Sequence, residues 1–285
     1  MSENTDEVLF DNRDGIAVIT LNRPQALNAL TMGMVDALYR QMGKWAADDS
    51  VRAVVIRGAG DRAFCAGGDV RAVAESRNDP GSTLTQDFFR TEYRMNRLIH
   101  HFPKPYIALM HGVTMGGGVG LSVHGHCRFV TEQTLLAMPE TGIGLFPDVG
   151  GSHFLPRCPG AIGMYLALTG ARLDAADCLY AGIADSLIPV DEHEALIADL
   201  RAGMDLDAAF AARAVAPGPS ALEAVREAID RCFSKGTVEE IEAALAAEDT
   251  DWAARMLHHM AGKSPVSQKM SMRQLREGAA MGFDA

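Results

Sequence analysis

Three glycine-bearing loops follow apolar strands in this chain: AFCAGGDV (63–70), MGGGVG (115–120) and TGIGLFPDVGG (141–151). A strand, a cluster of glycines and a helix start, used repeatedly, points to an α/β layered architecture. The first backbone N–H groups of a helix have no intrahelical partner, so each such loop presents free donors to an anion or a polarised oxygen. Glycine lets a ligand approach them because no Cβ intervenes. For any one loop, close packing or a tight turn is the competing reading. Nucleotide loops fail on spacing: after Gly116 and Gly118 the sixth position of a G-x-G-x-x-G pattern is Leu121, and no GK[ST] occurs. Two amides from separate loops, converging on one point, would instead make an oxyanion hole for a carbonyl.

The flanking segments fit that architecture. VLFDNRDGIAVITL alternates around Asp14-Gly15, a hairpin signal. Met34, Leu38, Met42 and Trp45 recur at helical spacing and read as core. RAVVIRGAG and KPYIALMHG read as buried strands, CRFVTE and TLLAM as two more. DVRAVAES, TQDFFRTEYRMNRLIHHF and GGGVGLSVHG read as helices, with 77–84 as a loop. From about Asp191 the composition turns to Ala, Glu and Leu and predicts helices, broken at APGPS (216–220). The sequence thus divides into a core over 1–200 and a helical region over 201–285.

A net charge of −11 over 285 residues argues against nucleic-acid or anionic-membrane partners, which need a basic face. A small phosphate-bearing ligand held by local arginines stays open. Five scattered cysteines, never spaced C-x-x-C, indicate a reducing compartment and no zinc site. His124 and His126 lack further ligands at useful spacing, so no metal is expected. The polar, acidic MSENTDEVLFDN resembles no leader, and no apolar run approaches the roughly 20 residues that span a bilayer. A cytoplasmic protein is the expectation.

Glu140 and Asp148 are the anomaly. They lie in AMPETGIGLFPDVGG, among glycines, prolines and apolar side chains, with no cation between Met138 and Ser152. Carboxylates are seldom buried without a partner. Asp148, after Pro147 and before a predicted helix, also fits an N-cap, and Glu140 also fits a solvated loop acid.

Together, LNRPQALNAL (21–30), FCAGGDV (64–70), HGVTMGGGVGLS (111–122) and MPETGIGLFPDVGG (138–151) resemble, in order, the four landmark segments of the crotonase (enoyl-CoA hydratase/isomerase) superfamily. FFRTEY, TMGGGVGLSVHG and LALTGARL are more narrowly similar to its 3-hydroxyisobutyryl-CoA hydrolase branch. The resemblance implies a superhelix of repeated β-β-α units with a helical C-terminal region, an acyl-CoA substrate and no cofactor. It implies oxyanion-hole amides at Gly68 and Gly117, and a CoA cradle at Ala26 and at Ala66, Asp69, Val70 and Arg71. Arg71 and Arg23 become candidates for CoA phosphates. Glu92 matches a substrate-contacting position, against the alternative of a solvated helix carboxylate.

A hydratase of this fold needs a second glutamate three positions after the middle glycine, where this chain has Gly120. Asp148 stands where the hydrolase branch carries Asp. Both favour thioester hydrolysis, with Glu140 as nucleophile or as general base and Asp148 positioning water or the substrate hydroxyl. An unusual hydratase or isomerase, or a non-catalytic acyl-CoA-binding protein, are the alternatives. Relatives continue for several helices beyond the last residues here, and those helices contribute to subunit packing, so a homo-oligomer, trimer or hexamer, is expected only if the C-terminal region suffices, with monomer the alternative.

Overall fold

Each apolar run finds a different use according to how much of it is buried. The computed structural model describes residues 6–285; the opening MSENT, part of the stretch read as lacking a leader, lies outside the described residues. Internal contacts divide the chain into two compact units: residues 1–135 with 184–217, and residues 136–183 with 218–285.

In the first unit, β1 (Val8–Arg13) and β2 (Ile16–Leu21) form the expected antiparallel hairpin. Its turn residues Asp14 and Gly15 hold φ of 53° and 79°, as a two-residue hairpin loop requires. Helix α1 (Met32–Ala46) starts at Thr31, whose hydroxyl accepts from Met34 N, and buries the predicted Met34, Leu38, Met42 and Trp45. Repeats of strand, strand and helix follow: β3 (Ala53–Gly58), β4 (Ala63–Cys65) and α2 (Val70–Glu75). After α3 (Leu84–His100) come β5 (Tyr106–Met110), β6 (Val113–Met115) and α4 (Gly117–Ser122). The third repeat opens with β7 (Cys127–Val130) and β8 (Leu135–Ala137). The architecture is therefore mixed α/β with repeated β-β-α units, as expected.

Strands β2, β3, β5 and β7 pair in parallel within one sheet, and β4 pairs with β6 in a second. Every residue of β5 is buried, the signature of a parallel strand covered on both faces. Leu135 donates its N–H to Gly112 O, and the chain passes from the first unit to the second within β8. Strand β6 has no counterpart in the sequence reading, because three residues are too few to show alternation.

The second unit begins with the acid-bearing loop, then α5 (Gly151–Phe154), α6 (Ile162–Thr169) and α7 (Ala175–Tyr180). Helix α6 is apolar on all sides and buries seven of its eight residues, which marks it as the unit's axis. The chain returns to the first unit for β9 (Ser186–Leu187), α8 (His193–Arg201) and α9 (Leu206–Ala211). It leaves again inside APGPS, the predicted break, and Ser220 caps α10 (Ala221–Phe233). Helices α11 (Val238–Glu248), α12 (Asp251–Ala261) and α13 (Pro265–Ala279) complete the second unit. Tyr165 of α6 packs edge-on against Phe233 at 5.3 Å between ring centroids.

Candidate active site

The amide cradle is built in the first unit by close backbone approach. Leu30 bridges Gly68 in parallel: Leu30 N donates to Gly67 O and Asp69 N to Leu30 O. In that pairing the Gly68 N–H points to the other side, and among the described residues it makes no backbone hydrogen bond. Gly117 opens α4, where an N–H has no intrahelical acceptor. Gly116 reaches that helix start at φ +49°, a backbone that side chains strain to adopt. A Cβ at Gly117 would lie 3.3 Å from Gly68 N and 2.5 Å from Glu92 Oε1, so the amides and the Glu92 carboxyl converge on one small volume. A Cβ at Gly118 would strike Cys65 O, which locks α4 onto β4.

Glu92 is therefore not the solvated helix acid of the alternative reading; it is 2% exposed. Phe88, Glu92, Met95, Asn96 and Ile99 form the buried face of α3, a helical register that was readable in the sequence. Asn96, which sequence reasoning did not single out, is 3% exposed and donates Nδ2 to Gly120 O at 3.1 Å.

A second close junction within this unit involves the residues that the resemblance assigns to CoA. Ala66 N donates to Leu27 O at 2.9 Å, bringing the Ala66 loop beside the 3₁₀ turn Pro24–Ala26. Asp69 caps α2 by accepting from Ala72 N, and its other oxygen meets Arg23 at 3.3 Å. Arg23 also donates to Ala29 O at 2.6 Å and pairs with Glu7 at 3.0 Å, so its guanidinium braces the junction. Val70 and Arg71 are exposed at its rim.

The acid pair belongs to the second unit. Pro139 initiates a 3₁₀ turn, Glu140–Ile143, whose first side chain turns inward; Glu140 is 6% exposed and its Oε2 has no hydrogen-bond partner. Loss of water, and then the nearby Asp148 charge, push the Glu140 carboxyl up to about 8. Asp148 is half-buried and is not the N-cap of α5, which is Gly150. Val149, between them, is a buried β-branched residue at φ +43°, a strained conformation beside the acid. The loop is held from the C-terminal segment: Ser264 N donates to Thr141 O at 3.0 Å and Gln274 Nε2 to Pro147 O at 2.6 Å. A carboxyl kept protonated near neutral pH beside a second acid is suited to donating a proton, and once ionised it is a poorly solvated carboxylate suited to taking a proton or attacking an acyl carbon.

Other histidines lie away from these groups. His126 Nδ1 accepts from Tyr106 N at 3.3 Å, and His258 and His259 lie exposed on α12. No group of three or more potential metal ligands occurs among the described residues, and none of their helices is long and apolar enough to cross a membrane.

A family model described as enoyl-CoA hydratase/isomerase matches residues 16–285. The mitochondrial 3-hydroxyisobutyryl-CoA hydrolase of Danio rerio is 48% identical, over 97% of this chain and 75% of its own length. The Homo sapiens protein of that name is 43% identical, over 98% and 76%. Among solved structures, a carnitinyl-CoA dehydratase from Mycobacterium thermoresistibile superposes with a TM-score of 0.94 at 42% identity, covering 98% of this chain and 82% of its own. An enoyl-CoA hydratase from Rhodobacter sphaeroides 2.4.1 gives 0.91 at 42% identity, covering 98% and 81%. The expectation of a cytoplasmic protein is corrected by these relatives, since the hydrolases are mitochondrial by name. Free thiols and an acidic composition suit any reducing compartment, so they never distinguished the two. The chain belongs to the enoyl-CoA hydratase/isomerase family, on the branch that holds the 3-hydroxyisobutyryl-CoA hydrolases.

Proposed function

We propose that this chain hydrolyses a short 3-hydroxyacyl-CoA thioester, 3-hydroxyisobutyryl-CoA before others, to the free acid and CoA in valine breakdown. The observation that carries the reading is the acid pair: a desolvated Glu140 whose proton is held up to about 8, with Asp148 beside it. The names of the relatives support the substrate. Gly120 supports hydrolysis over hydration, because glycine offers no side chain to hold a proton.

In this reading the thioester oxygen accepts from the Gly68 and Gly117 N–H groups. Those donors are fixed before the reaction, so they stabilise the tetrahedral oxyanion more than the ground-state carbonyl. Ala26 and the stretch from Ala66 through Asp69 and Val70 to Arg71 hold the CoA portion, and Glu92 contacts the acyl group. Glu140, ionised, either attacks the carbonyl carbon or takes a proton from a water that does. In the first route the C–S bond breaks to give a mixed anhydride and CoA thiolate, which takes a proton; water then opens the anhydride. In the second, water supplies the oxygen directly. Asp148 positions the water and relays protons. A single turnover in H₂¹⁸O separates the routes: the label enters the Glu140 carboxyl only through the anhydride.

The primary test follows thiol release from 3-hydroxyisobutyryl-CoA beside hydration of crotonyl-CoA. Free CoA without hydration is the expected result; hydration without CoA release overturns the reading in favour of a hydratase. Tight acyl-CoA binding without turnover would identify a non-catalytic binder. The homo-oligomer, trimer or hexamer, rests on the resemblance alone and is checked by light scattering.

A further inference from the structure

The first turn of α4 lacks side chains where it faces α3. Gly117 and Gly120 stand one turn apart on the same edge, and both meet α3: Gly117 against Glu92, Gly120 through the Asn96 amide. Glu92 and Asn96 are themselves one turn apart on one face of α3. Glu92 and Asn96 therefore line the α3 side of the α4 start, Glu92 beside Gly117 and Asn96 at the Gly120 carbonyl; a narrow strip between the helices follows this line.

The orientation of the Asn96 amide is fixed by its partner. Gly120 O can only accept, so Nδ2 must face it, and Oδ1 occupies the opposite corner. That oxygen is fully buried and has no hydrogen-bond partner. A buried amide oxygen without a donor costs about 1–3 kcal/mol, a cost that a ligand hydroxyl would remove.

We propose that Asn96 is the specificity residue for a 3-hydroxyl on the acyl group: the hydroxyl donates to Asn96 Oδ1, with Glu92 walling the strip one turn before. The inference rests on the hydrolase reading above, and it assigns to an α3 side chain the selection between hydroxylated and plain acyl chains. The strip accepts a small polar substituent and leaves Asn96 unpaired when an unsubstituted acyl chain binds. Sites that hydrogen-bond a substrate hydroxyl reject the analogue lacking it far more strongly than apolar pockets discriminate by size.

The test compares kcat/KM for 3-hydroxyisobutyryl-CoA and isobutyryl-CoA, measured as thiol release, in wild type and in Asn96→Leu. Wild type is expected to prefer the hydroxylated thioester by about 10²-fold or more, and the substitution to shrink that ratio at least tenfold. A purely structural Asn96 would lower both rates together and leave the ratio unchanged, which overturns the proposal. A wild-type ratio near one overturns it without any variant, should Asn96→Leu fail to fold, while leaving the hydrolase reading intact. Wild type releasing CoA from neither thioester overturns both.

Discussion

The amide cradle and the acid loop solve opposite problems. In the cradle the proposed working groups are main-chain N–H donors, and the first unit's fold holds them by close packing: a Cβ at Gly118 would strike the Cys65 carbonyl, and one at Gly117 the Glu92 carboxyl. The donors cost little, since a helix start leaves its N–H unpaired in any case. In the acid loop the proposed working groups are side chains that folding penalises. Glu140 is stripped of water with one oxygen unpartnered, Asp148 repels it, and Val149 is strained between them and the helix start. One region is a by-product of good packing. The other is held against its own preferences by α13 and the segment before it.

Replacing Glu140 tests that contrast most severely. Glu140→Gln is expected to reduce thioester hydrolysis by about 10³-fold or more, since removing a nucleophile or essential base costs at least this. Stability should move the other way. The unfolded chain ionises this carboxyl near 4.5 and the folded chain only at about 8. Between those values the folded state keeps a proton the unfolded state has lost, so wild-type stability falls as pH rises, by up to roughly 5 kcal/mol. Urea unfolding from pH 5 to 9 should show the Gln variant overtaking wild type as pH increases. Parallel curves would mean that Glu140 bears no such penalty, and the contrast would collapse.

Gly117→Ala probes the other side. The added methyl meets Glu92 Oε1 and crowds Gly68 N. Turnover should fall about 10²-fold, the usual loss on disabling one oxyanion donor. Here activity and stability should fall together, because the cradle's geometry and its packing are the same thing; the check pairs kcat with the urea midpoint. An active but destabilised variant would separate them.

This division also governs what could be read from the chain. The glycine loops were legible because their proposed function and their steric requirement select the same residue. Glu140 and Asp148 stood out as charges in an apolar run, but burial decided between a solvated loop acid and a desolvated one, and burial is a property of the assembled unit. Glu92 illustrates the limit. Its place in the 88–92–95–99 register was visible, yet an acid in such a register reads equally as the edge of a polar face. Strand β9, two residues long, carries no periodicity at all. The return of residues 184–217 to the first unit was equally silent, because the Ala-, Glu- and Leu-rich composition is shared with helices of the second.

Asp148→Asn gives a finer measure of the acid loop. Removing the Asp148 charge lowers the Glu140 carboxyl from about 8, but desolvation, the larger cause, keeps it above 4.5. The rise of kcat with pH that marks Glu140 ionisation should therefore move to lower pH by a fraction of a unit to about one unit. Its amplitude should drop by about tenfold or more if Asp148 relays protons. A limb that stays in place would show that the two acids do not sense each other.

The smallest effect lies outside both regions and shows that the penalty at Glu140 is not simply what burial does to any titratable group. His193, at the start of α8 in the first unit, is also buried, and its Nε2 has no partner. Desolvation, followed by the neighbouring His111 and Arg57, pushes its imidazolium down to about 4, while Glu194 and its bond to the Ile188 backbone act the other way. His111 is lowered too, with Asp61 opposing. Here the unfolded chain is the one that binds the extra proton, between about 4 and 6.5. Stability is therefore complete above 6.5 and declines as pH falls, by roughly 3 kcal/mol over the whole window. His193→Gln, which keeps a donor for the Ile188 carbonyl, should flatten this decline by about 1 kcal/mol between pH 6.5 and 5.5 and leave the high-pH decline of Glu140 untouched. Measured by urea unfolding, two slopes of opposite sign, each removed by its own substitution, would show that burying His193 carries no ionisation penalty near neutral pH, whereas burying Glu140 does. Loss of both slopes in either variant would mean that one shared transition governs them, and the contrast between the two regions would then not be energetic.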